Sequence, residues 1–95
     1  MNRLTIDTFG LTNKRTGYEL AAVRLGGDNN ETFFRHDAPP TDPQAMLREV
    51  LSMSVDDDNS RGMFEYHVLE QGDGIEVLGV RIPNEEARRI VAEYI

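Results

Sequence analysis

GMFEYHVLEQGDGIEVLGVRI, residues 62–82, holds two apolar runs on either side of EQGDG, and its periodicity decides the fold. Read with period two, it is a β-hairpin. With Gly72, Asp73 and Gly74 as a three-residue loop, Phe64, Tyr66 and Val68 fall opposite Ile82, Val80 and Leu78 and form one apolar face. The same register sets Glu65 across from Arg81, an opposite-charge pair, whereas a slip by one residue mixes charged and apolar positions on each face. The sequence therefore predicts strands over 62–69 and 75–82.

Working outward, RLTIDTF at 3–9 alternates Leu4 and Ile6 with Thr5 and Asp7, the pattern of a half-buried strand. TNKRTG is a turn cluster. GYELAAVRL, 17–25, fits a strand better than a short helix, although Thr16 and Glu19 have capping-box spacing and Gly26 and Gly27 suit a helix end. Only about eight residues are available, which is marginal for a helix. ETFFRH, 31–36, reads as a third strand, closed by Pro39 and Pro40.

Thr41, Asp42, Pro43 and Gln44 read as a helix start, and Met46, Leu47, Val50 and Leu51 form the apolar stripe of a helix over 42–53. At the other end Pro83 stops a strand, Asn84 is the expected N-cap, and Ala87, Ile90, Val91 and Tyr94 form the stripe of a last helix. The expected architecture is a single α+β domain over residues 1–95, in the order β-β-β-α-β-β-α. Two helices pack on one face of a mostly antiparallel sheet of about five strands.

The chain has 95 residues, no cysteine, and 17 acidic against 10 basic residues, a net charge of −7. Without cysteine there are no disulfides, thiolate nucleophiles or iron–sulfur ligands, and a reducing, cytoplasmic setting is expected. No run of about 18 apolar residues occurs, so no membrane span is expected. The acidic balance argues against direct nucleic-acid binding and for a basic protein partner, including one that itself binds nucleic acid.

The acidic charge is uneven. Residues 1–55 carry a net −1 and residues 56–95 a net −6. SVDDDNSRG, 54–62, reads as a solvated connection rich in turn formers. As a calcium loop starting at Asp56 it fails, because Arg61 stands where the sharp turn needs glycine and His67 where a bidentate glutamate is needed. His36 and His67 lack metal-ligand spacing, QGDG opens no helix, and the serines have no nucleophile elbow, so neither cofactor, metal nor catalysis is expected.

Three readings of function follow. The leading one is a non-enzymatic interaction domain, of the inhibitor, immunity or counter-defence kind, that docks a basic partner and imitates nucleic-acid charge. Its docking residues are Asp56, Asp57, Asp58, Glu70, Asp73, Glu85 and Glu86, with Arg61 as an orienting contact. A second is an assembly subunit that forms a homodimer through an apolar sheet face bearing Met63, Leu69, Ile75 and Val77. The third is a weak calcium or small-ligand module beside His67.

Overall fold

Residues 58–71 are helical throughout, so the first half of the deciding stretch is not a strand. The computed structural model describes residues 3–12, 15, 19–27, 30–36 and 38–95. The strands are β1 (Leu4–Thr12), β2 (Glu19–Gly27), β3 (Asn30–Arg35), β4 (Ile75–Val77) and β5 (Val80–Ile82). The helices are α1 (Pro43–Ser54), α2 (Asp58–Phe64), which runs directly into a π-helical segment (Glu65–Gln71), and α3 (Asn84–Val91). The Thr16–Glu19 capping box lies in part outside the described residues, but Glu19–Gly27 is extended, as expected.

The sheet is mixed, with order β3-β2-β1-β4-β5. β1, β2 and β3 form an antiparallel meander. The chain then crosses the sheet through α1, α2 and the π-helical segment, and β4 inserts parallel to β1, with Leu4 beside Ile75 and Ile6 beside Val77. The expected mostly antiparallel sheet with two helices is thereby corrected to a mixed sheet with three.

Residues 75–82 are also not one strand. They fold on themselves as β4 and β5 about a two-residue turn at Leu78 and Gly79, whose φ values of 53° and 77° fit the type I′ hairpin turn. Arg81 therefore pairs across from Glu76, not Glu65. Phe64, Tyr66 and Val68 have no strand partners.

Helix periodicity explains the burial in α2 and the first part of the π-helical segment. Ser60, Met63, Phe64, His67 and Val68, spaced i, i+3, i+4, i+7 and i+8, are buried, while Tyr66 is 44% exposed. Asp57 is the N-cap of α2, and its carboxylate accepts a hydrogen bond from Ser60 Oγ. The aspartate run thus starts a helix. At the other end Gly72 takes a left-handed φ of 69° and its N–H bonds to His67 O, so EQGDG is a helix terminus and not a hairpin loop.

Side chains of α3 complete that terminus. Arg88 donates to Leu69 O (2.9 Å), and Asn84, with its amide turned to suit its neighbours, donates to Val68 O (3.2 Å) and accepts from Arg88 Nε (2.9 Å). These contacts satisfy carbonyls that a helix end leaves unpaired. Asn84 does this from the first turn of α3, and Pro83 occupies the N-cap position expected of Asn84. At α1 the cap is Asp42, which accepts from Ala45 N–H at 3.0 Å.

All helices lie on one side of the sheet. Leu4, Ile6, Val23, Leu25, Ile75, Val77 and Ile82 meet the stripes of α1, α2 and α3, with Met46, Leu47, Val50, Leu51, Phe64, Val68 and Val91 among the buried partners. The opposite sheet face carries Arg3, Arg24, Arg35 and Arg81 together with Asp7, Glu31 and Glu76, interleaved by register.

Candidate functional site

Charge divides by layer. Residues 1–40 and 74–82, which contain the five strands, hold six acidic and six basic residues in sequence; residues 41–73 and 83–95, the helical layer, hold eleven acidic and four basic. The helical layer therefore carries the whole net charge of −7.

Three of its four cations are engaged internally. Arg48 pairs with Glu93 (3.1 Å), and Arg88 holds the Leu69 carbonyl. Arg61 binds Asp58 (3.0 Å), lies 3.8 Å from Glu65 and donates to Val55 O. Arg61 is thus tied to its own helical run and to the end of α1. It partly neutralises the Asp58 end of the acidic surface.

The expected docking residues occupy two ends of the layer. Asp56 is exposed in the turn after α1, Asp57 caps α2, and the Asp58 side chain is 94% exposed in the first turn. Glu70 and Asp73 lie at the far end, where the 72–74 bend packs beside Asn84, the first residue of α3, which Glu85 and Glu86 follow. Asp58 and Glu70 are twelve residues apart along the helical run, roughly 18 Å at about 1.5 Å per residue. Glu86 is partly occupied, accepting from Gln44 Nε2 at 3.4 Å.

Glu49, Glu65 and Glu93 belong to the same layer and were missed by sequence. The signal for Glu65 is the helical period of 58–71, which places it on the solvent side, and Glu49 lies off the apolar stripe of α1. The expected sheet-face set is corrected: Met63, Ile75 and Val77 are in the core of a single chain, and only Leu69, 38% exposed, reaches the surface. They were assigned to one open face because the hairpin register was wrong.

A cleft of about 290 Å³ opens where the π-helical segment meets the sheet, with Asn30, Asp58, Asn59, Tyr66 and His67 on its walls. Asn59 spans to the sheet, donating to Thr32 Oγ1 at 3.0 Å. His67, expected on the side away from the core, is 2% exposed, with Tyr66 edge-on at 5.1 Å. π-Helical turns are frequent at functional sites. Among the described residues no group of three or more His, Asp or Glu side chains converges to hold a metal ion.

His67 also explains a glycine. A Cβ at position 27 would stand 2.8 Å from His67 Nε2 and 3.3 Å from Leu4 Cδ1. Gly27→Ala is expected to cost about 1–3 kcal/mol by overpacking. Combining it with His67→Ala should cost less than the two single changes together, because the added methyl then has room. Urea unfolding of the four proteins measures this coupling, and strict additivity would refute the contact.

His36 ties β3 to α1. Its Nδ1 accepts from the Ala38 N–H (3.2 Å), which leaves Nε2–H to donate to Glu49 at 3.0 Å. No helix among the described residues is long and apolar enough to cross a membrane. Comparison with protein-family models, with curated proteins and with solved structures finds no match to this chain.

Proposed function

We propose that the chain is a non-enzymatic protein-interaction domain of the inhibitor, immunity or counter-defence kind, whose acidic helical layer docks a basic partner. The observation that carries this reading is the segregation of charge: the strand segments are neutral and the helical layer holds the full −7. One-sided charge of this size steers association and favours positively charged grooves, including those that bind nucleic acid. Two acidic ends roughly 18 Å apart on one helical run suit an extended basic surface better than a single cation.

Affinity capture from the native host at 50 and 500 mM salt tests the reading. A basic partner held at low salt and released at high salt supports it. Replacing Asp56, Asp57 and Asp58 together by lysine should lower the association rate for that partner by about tenfold or more, because exposed rim charges act mainly on encounter. An unchanged rate removes this end of the layer as a docking surface. Glu85→Lys with Glu86→Lys tests the other end in the same way.

A further inference from the structure

We infer that the uncovered sheet face is the seat of a second copy of this chain, in a two-fold pair that leaves both acidic helical layers outward. Asp7, Phe9, Arg24 and Phe33 share this face, because Asp7 registers with Arg24 and Arg24 with Phe33. Phe33 is 56% exposed, and its ring meets Phe9 edge-on at 5.5 Å. A cleft of about 260 Å³ lies among these side chains. An exposed ring beside an open cleft gives the face a knob and a hole of its own.

Charge selects the occupant. Two chains of −7 repel wherever helical layers approach, but the sheet face carries both signs, four arginines interleaved with three carboxylates. Arg3 binds Glu76 at 3.6 Å, and Arg81 registers with Glu76. A two-fold axis along the β1–β2 seam would set Asp7 of each copy opposite the partner's Arg24, the self-complementarity that such an interface requires.

Sheets packed face to face lie about 10 Å apart, with each helical layer on the far side of its own sheet. The acidic layers are then separated by more than the Debye length of about 8 Å at physiological salt. Thirty strand residues give a footprint on the order of 500 Å² per copy at about 3.3 Å rise and 4.8 Å spacing. That total is at the low end for specific interfaces, so a micromolar dimer is expected.

Sedimentation equilibrium of the full chain between about 1 and 200 µM is the test. The mass should rise from 10.8 kDa toward twice that value. Phe33→Glu should weaken the pair at least tenfold while far-UV circular dichroism stays unchanged, and Thr5→Arg, also on this face, serves if that variant does not fold. Asp7→Arg and Arg24→Asp should each weaken it, and the double exchange should restore it. A monomer at 200 µM, or a dimer indifferent to both face variants, overturns the proposal. So does a wild-type monomer that binds a labelled single-stranded oligonucleotide through Phe33.

Discussion

Truncating Phe64 to alanine is expected to remove about 3–5 kcal/mol of stability, whereas Tyr66→Ala should remove about 1 kcal/mol or less. Phe64 is fully buried among the sheet and helix side chains, so its loss combines transfer free energy with a cavity that close-packed neighbours fill only in part. Tyr66, two residues on, is 44% exposed and loses little beyond its edge contact with His67. A chain of this length has a total stability of about 5–14 kcal/mol, so Phe64→Ala approaches the unfolding limit.

The contrast discriminates between folds. In a hairpin both aromatics share one core face, and the two truncations would cost similar amounts. In the helix they point apart. Urea unfolding with matched m-values reads the difference directly. The midpoint of thermal unfolding should fall by at least about 12 °C for Phe64→Ala, at about 4–8 °C per kcal/mol.

Glu65→Pro should cost about 3 kcal/mol or more, although the Glu65 side chain is exposed. The Glu65 N–H bonds to Arg61 O and Gly62 O where α2 passes into the π-helical segment. Proline removes that donor, and its ring clashes with the preceding turn. Glu65→Ala is the control, since it deletes only a 3.8 Å surface ion pair with Arg61, worth less than about 1 kcal/mol. Thermal unfolding followed by circular dichroism should show a large loss for proline and almost none for alanine; equal, small losses would refute a continuous helix through residue 65.

Much of the fold was legible because local signals agreed. Leu4 and Ile6 alternate with polar residues in β1, the double proline closes β3, and Asp42 with Pro43 starts a helix whose stripe at Met46, Leu47, Val50 and Leu51 is buried as expected. In each, period, cap and breaker point to one answer. Residues 58–71 gave two answers. Phe64, Tyr66 and Val68 satisfy period two, while Ser60, Met63, Phe64, His67 and Val68 satisfy the helical period, and β-prone aromatics tilt the choice toward strand.

The candidate acidic site was legible in composition but not in shape. The net −6 of residues 56–95 belongs to the sequence, yet that part also contains β4 and β5, whose Glu76 and Arg81 cancel, and it omits α1. Only assembly of the helices on one side of the sheet gathers Asp42 and Glu49 with the later carboxylates and separates Asp56–Asp58 from Glu70 and Asp73.

By itself the sequence determined the charge, the first three strands, the outer two helices and the helical stripes, since each rests on residues within a turn or two of one another. Tertiary structure alone decided that 58–71 is helix, that Ile75, Val77 and Met63 are core, and that one sheet face stays open. The physical reason is pairing. β1 has two edges, and β2 and the parallel β4 take both. A strand at 62–69 could not pair there, and as a helix the segment contributes Met63, Phe64 and Val68 to the core that holds Leu4, Ile6, Leu25 and Ile75.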